Sequence, residues 1–182
     1  MRHRLPLLEP FVVAALLAAC GDARPPATPT PTSLPPARVL TLDGAPTDLA
    51  DAIHGRPAFV NLWATWCDTC VGEIDAMKRL AAQTSGHGDA LVVGVAVGEA
   101  PATVAAFARD RQLGYLQLVD EDFRLADALG QRRVPATIVV DRGGRIVYWG
   151  EAMDPALLLP GVEVAGVTTF LAGAGDGAMI TL

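Results

Sequence analysis

Lysine is nearly absent. Lys78 is the only one in 182 residues, and the other thirteen positive charges are arginines. The formal net charge is −6. Without clustered cations the chain is a poor match for a phosphate backbone, which argues against nucleic-acid binding. A long apolar run is missing at the start as well. Phe11 to Ala19 stops at nine residues, about half of the twenty or so that span a bilayer. No segment repeats at a solenoid period, so a stacked-repeat architecture is excluded. Charged residues are sparse too, at 19%, below the usual quarter or so. What is there is a hydrophobic fraction of 51%, enough to build a core, and a length that suits one ordinary domain plus extensions.

The first residues read as a targeting segment. "MRHR" is a short basic start, and the apolar run from Phe11 to Ala19 has signal-peptide length. Glu9 and Pro10 bar its extension backwards. The run ends in "LAAC", and Leu17, Ala18, Ala19 and Cys20 resemble the lipobox of bacterial lipoproteins. That resemblance implies cleavage before Cys20, lipid on its sulfur, and work on the extracytoplasmic face of a bacterial membrane. An ordinary cleavage site with a cysteine behind it is the other reading. Stable anchoring takes two membrane signals. The stretch "ARPPATPTPTSLPP", residues 23–36, carries six prolines. Proline blocks both helix and central strand, so this segment is expected outside the fold, as an extended spacer of about 3.1 Å per residue. The expected division is a signal peptide at 1–19, a lipidated cysteine and linker at 20–36, a folded domain at 37–160 and a tail at 161–182.

From residue 38 the pattern alternates strand and helix. "RVLTL" reads as a short strand, and "PAFVNLWA", residues 57–64, as a buried one. A helix is predicted from about Cys67 to Ala82, with Cys70, Ile74, Met77 and Ala81 on one face and "TSGHGD" ending it. "ALVVGVAV" is a second buried strand, expected parallel to the first through a right-handed crossover. "PATVAAFARDRQ" is a helix with Val104, Phe107 and Ala108 inward. "LQLVD" is a strand, and "EDFRLADALG" a short helix closed by Gly130. "ATIVVD" and "RIVYWG" form a hairpin across "RGG". This order predicts an α/β fold with a mixed sheet covered by helices on both faces.

The chemistry sits in "WCDTC". Cys67 and Cys70 follow a buried strand and open a helix. The unsatisfied N–H groups and partial positive charge of a helix N-terminus favour a thiolate, and the thiolate is the nucleophile. Cys67 receives most of this effect, while Cys70, one turn in, suits the resolution of a mixed disulfide. A structural staple across so short a loop contributes little, about 2 kcal/mol on the chain-entropy model. A metal site needs two more ligands, and past the expected cleavage site the cysteines and histidines left are His54, His87 and Cys20, without ligand spacing.

"FVNLWATWCDTCVGE", followed about sixty residues later by "RVPATIVVDRGGRIV", resembles the thioredoxin fold. More closely, it resembles the TlpA/ResA-like membrane-anchored thiol–disulfide oxidoreductases, over about residues 38–150. The resemblance implies a thioredoxin-like three-layer domain with no cofactor, in which Cys67 attacks, Cys70 resolves and the two cycle through a Cys67–Cys70 disulfide. Pro135 in "VPAT" would be the cis-proline beside the dithiol. Val134 would pair by backbone with a substrate peptide, and Trp66 would form part of the partner-facing surface, while Trp63 packs inside. Glu73, one turn beyond Cys70, would accept its proton; a solvated helix charge is the plainer reading. Asn61 stands where cytoplasmic thioredoxins carry a buried acid. Implied partners are thiols and disulfides of exported proteins, including haem-binding cysteines of apocytochrome c, and a membrane dithiol electron donor. The competing expectations are a disulfide oxidase or isomerase, and a non-catalytic metallochaperone. A peroxiredoxin is disfavoured, because Ala64 occupies the place of its threonine three residues before the cysteine.

The chain departs from that family between the cysteines, at Arg133, where the family often has a small residue, and after the hairpin. The dipeptide between the cysteines is Asp68-Thr69, where proline is common at the second position. Asp68 puts negative charge beside the Cys67 thiolate and should raise its pKa, making the disulfide harder to reduce; Arg132 and Arg133 push the other way. After the hairpin, "DPALLLPG" allows only about two helical turns, with Asp154 as N-cap and Pro155 at N1, where the family closes with an amphipathic helix.

Overall fold

A computed structural model describes residues 31–151 apart from 88, 89 and 132, together with strands at 162–164 and 167–169. The expected signal peptide, Cys20, and the two-turn helix at Asp154 lie outside the described residues. The elements run β1 (Arg38–Thr41), β2 (Pro46–Asp48), α1 (Leu49–Ile53), β3 (Ala58–Trp63), α2 (Asp68–His87), β4 (Leu91–Val97), α3 (Pro101–Asp110), β5 (Leu116–Asp120), α4 (Arg124–Leu129), β6 (Ala136–Val140) and β7 (Ile146–Gly150). A separate antiparallel pair follows, β8 (Val162–Val164) and β9 (Val167–Thr169).

Seven strands form one mixed sheet in the order β2-β1-β5-β4-β3-β6-β7. The centre is parallel, β3 to β4 to β5, as the crossover helices α2 and α3 require. β6 runs antiparallel to β3, and β1 antiparallel to β5. The central strands are buried on both faces, which is why β3 and β4 read as nearly continuous apolar runs. Their alternate residues serve different layers. Val60, Leu62, Val93 and Val95 pack with Leu49 and Ile53 of α1 and Leu125 and Leu129 of α4. Phe59 and Val92 pack with Met77 and Leu80 of α2, and Trp63 and Ala96 with Val104 of α3. The result is a three-layer α/β sandwich, the predicted fold class.

Several boundaries differ from the sequence expectation: α4 starts only at Arg124 and α3 ends at Asp110. Helix α2 continues past Ala82 to His87. Thr84 and Ser85 donate their hydroxyls back to the Ala81 carbonyl, at 3.2 and 2.7 Å, a local bond that lets these residues sit inside a helix. The end of the proline-rich stretch also joins the sheet. Ile146 N–H donates to the Thr32 carbonyl at 2.9 Å and Leu34 N–H to that of Gly144 at 2.9 Å, making an antiparallel bridge between Ser33 and Arg145. Leu34 also packs against the core. Thr32 and Ser33 follow Pro31 and precede Pro35, so the short span between prolines keeps the donors and acceptors an edge strand needs.

Candidate active site

The site lies at the carboxyl ends of β3, β4 and β5, where open α/β sheets hold their ligands. Three loops meet there: 64–67 after β3, 98–100 after β4, and 121–123 after β5. The segment before β6 joins them, because β6 is antiparallel to β3 and pairs Ala136 with Leu62.

The first loop presents the cysteines. Ala64 and Trp63 are buried at the end of β3, and Cys67 N–H donates to the Ala64 carbonyl at 3.2 Å, turning the chain into α2. Cys67 sits at the N-terminus of that helix. Its carbonyl accepts from Val71 N–H at 3.0 Å, and its Sγ accepts from Cys70 N–H at 3.2 Å. A first-turn donor is therefore aimed at the sulfur, the local arrangement that stabilises a thiolate. Cys67 and Cys70 form a disulfide with their Cα atoms 5.2 Å apart. Cys70 is the more enclosed, at 2% exposure against 8%. Both pack with Trp63, Ala64, Val104 and Val119.

The segment before β6 faces the disulfide. The Val134–Pro135 bond is cis, and the Val134 carbonyl oxygen lies 3.8 Å from Cys67 Sγ. Val134 is half-buried and Pro135 buried. Arg133 is exposed. Glu73 lies one helical turn beyond Cys70, half-buried, with its Oε2 shut off from water. Asn61 is buried and donates from Nδ2 to Thr137 Oγ1 at 3.2 Å. The two tryptophans part company: Trp63 is 3% exposed, and Trp66 is 66% exposed beside the cysteines. Cys67, Cys70, Trp66, Val134 and Pro135 thus come together at one end of the sheet. Cys20 lies outside the described residues.

Two neighbours of this cluster carry no signal in the sequence. Glu99, in the loop after β4, accepts the Thr65 backbone N–H at 2.8 Å and the Thr65 hydroxyl through its other oxygen. Phe123, after β5, has φ 57° and is 47% exposed. Its ring covers Gly98, itself at φ +69°, where a β-carbon would collide with the ring. Both contacts span dozens of residues and appear only once the loops are assembled.

Comparison with known proteins agrees with this geometry. The model of the Redoxin family matches residues 22–160. The thiol-disulfide oxidoreductase ResA of Halalkalibacterium halodurans is 29% identical over 106 residues, which cover 58% of this chain and 59% of ResA. The thiol:disulfide interchange protein DsbE of Pasteurella multocida is 30% identical over 113 residues, covering 56% and 60%. The chain therefore spans about three fifths of the length of these curated relatives. Among solved structures, a thiol:disulfide interchange protein of the thioredoxin family from Chlorobium tepidum superposes with a TM-score of 0.57 at 26% identity, covering 71% of this chain and 92% of that one. A secreted Mycobacterium tuberculosis disulfide oxidoreductase gives 0.56 at 24%, covering 66% and 90%. With the family model matched across its folded part and a thioredoxin-like sheet around the cysteine pair, this chain belongs to the Redoxin family as a ResA-like member.

Proposed function

We propose that the chain is a thiol–disulfide oxidoreductase, anchored by lipid on Cys20 at the extracytoplasmic face of a bacterial membrane, that reduces disulfides in exported proteins. The observation that carries this reading is the Cys67–Cys70 disulfide at the start of α2 with the cis Val134–Pro135 segment against it. In the reduced protein the Cys67 thiolate attacks one sulfur of a substrate disulfide. The substrate S–S bond breaks, one substrate thiolate leaves and takes up a proton, and Cys67 is held in a mixed disulfide. Cys70 then gives its proton to Glu73 and attacks the Cys67 sulfur. The second substrate thiol is released, and Cys67–Cys70 closes. Two electrons have passed to the substrate, and an external dithiol on the membrane must return them. Val134 and Trp66 hold the substrate strand, and haem-binding cysteines of apocytochrome c are one substrate class this reading includes.

Trapping tests it. Cys70→Ser removes the resolving thiol, so exported proteins should accumulate as mixed disulfides on Cys67, released by dithiothreitol and absent from Cys67→Ser. If Cys70→Ser expressed in a bacterial envelope captures no exported protein, the reductase reading fails.

A further inference from the structure

A cavity of about 640 Å³ opens beside the disulfide, between Trp66 and Phe123, with Val134 on its wall. This size falls within the range of small-ligand pockets. Its two aromatic walls are the large hydrophobics most exposed among the described residues, at 66% and 47%. Trp66 follows from the motif. Phe123 does not, and its backbone is costly: a bulky residue at positive φ is an outlier that persists only where its surroundings hold it. Here two features hold it. Asp127 N–H donates to the Phe123 carbonyl at 2.8 Å, and Gly98 leaves the space its ring occupies. A ring kept half in water by a strained backbone and a glycine contributes little to the core. It is placed to be covered by something else.

The polar lining says what. Asp122 and Asp127 lie along the α4 side of the cavity, and Arg133 lies at the end next to Val134. Asp122 pairs with Arg124 at 3.4 Å, but both side chains are well exposed, so the pair is weak and leaves the carboxylate open to another cation. Aromatic walls, a cation near the cysteines and two carboxylates beyond them form a graded surface. We infer that this groove selects the substrate: an extended cysteine-bearing peptide with a large apolar residue beside its cysteine, seated between Trp66 and Phe123, and a lysine or arginine beyond it, facing Asp122 and Asp127. This rests on the oxidoreductase reading above and adds the substrate's chemistry to it.

The test uses the wild-type full chain, dithiothreitol as electron source, and two disulfide-linked synthetic peptides. One carries phenylalanine beside the cysteine and lysine beyond; the other carries glycine and glutamate. The ratio of their kcat/KM values is the readout. The expected ratio is at least about tenfold in favour of the first, the discrimination a hydrophobic pocket ordinarily gives. Phe123→Asn, a residue that tolerates the left-handed backbone, should remove the phenylalanine-over-glycine part of the ratio, and Phe123→Tyr should restore it. Asp122→Asn with Asp127→Asn should remove the lysine-over-glutamate part, as should high salt. Equal rates for both peptides with the wild type overturn the groove assignment alone. Failure to reduce either peptide or glutathione disulfide overturns the oxidoreductase reading with it. A ratio unchanged by Phe123→Asn, or self-association in sedimentation that Phe123→Asn abolishes, assigns the groove to another occupant.

Discussion

Glu99 holds Thr65 by both its oxygens, across the gap between the loop after β4 and the turn that delivers Cys67. A carboxylate accepting a backbone N–H makes a charge-assisted bond, about 1.5–3 kcal/mol when enclosed. Glu99 is half-buried, so the lower end applies. Glu99→Ala should lower the stability of the oxidised protein by about 1.5 kcal/mol in urea unfolding, and Glu99→Gln, which keeps an acceptor for the N–H, by less. Equal midpoints for Glu99→Ala and wild type would show that the clamp contributes nothing.

Gly98 and Phe123 form a second interlock between the same loops. Any side chain at position 98 meets the Phe123 ring, and its own φ of +69° already disfavours one. Gly98→Ala should therefore destabilise by about 1–3 kcal/mol, the usual range for a strained backbone position, measured by thermal unfolding. Gly98→Ala with Phe123→Asn should recover the steric part of that loss and leave the backbone part.

The β6–β7 hairpin makes a prediction about acid. Asp141 accepts from the N–H groups of Gly143 and Arg145, each at 2.9 Å, and from Arg145 Nε at 2.8 Å. The Arg145 backbone bond, then its side-chain bond, holds the Asp141 carboxyl below its ordinary 3.8. A depressed carboxyl stabilises the fold above its unfolded pKa and loses that contribution as pH falls through the folded one. Asp141→Asn should melt below the wild type at pH 6, and the gap should narrow as pH falls below about 4. A constant gap down to pH 2 would mean that the charge plays no part.

How much of this was legible in the sequence follows from the residues themselves. β3, β4 and β6 are nearly continuous apolar runs because both their faces are covered, so their number and type could be read directly. The cysteine pair and "VPAT" could be placed together only through the family resemblance, since 65 residues separate Cys70 from Pro135. β2 and α1 escaped because "PTDLADAI" has a three-residue strand and a five-residue helix, both shorter than any period needs. Asp48 does cap α1, accepting from Ala50 N–H at 2.8 Å, a signal too local to stand alone. Glu99 and Gly98 look like ordinary loop residues, and Phe123 reads as part of the short helix that it instead precedes. Their roles come from which strand ends the sheet order brings together, and no one-dimensional pattern encodes that.

Glu73 carries the proposed proton transfer, so its removal should slow the second half of the reaction and spare the first. Glu73→Gln keeps the shape but accepts no proton. Loss of a positioned base costs about 100-fold or more in the step it serves. In single-turnover reduction of a peptide disulfide, mixed disulfide on Cys67 should build up at pH 7 and clear as pH rises, when Cys70 ionises unaided. Wild-type resolution at neutral pH in Glu73→Gln would leave Glu73 as a helix charge without a part in the chemistry.

Asp68 is the residue through which the proposed direction of electron flow can be tested. It is exposed, at the first position of α2, next to Cys67. A carboxylate there opposes the helix N-terminus and raises the free energy of the Cys67 thiolate. Whatever disfavours the thiolate disfavours the reduced dithiol, so the potential becomes more negative and the protein a better reductant. Removing the charge reverses each step. An exposed charge a few ångströms away amounts to about 1 kcal/mol, so Asp68→Asn should raise the midpoint potential by about 20 mV, since 30 mV is about 1.4 kcal/mol for two electrons. Arg133→Ala should move it the other way, and both shifts should shrink in high salt. Equilibration against glutathione buffers measures all of them. A wild-type midpoint near −120 mV, where strong oxidants lie, would reverse the assignment and make the protein a disulfide donor.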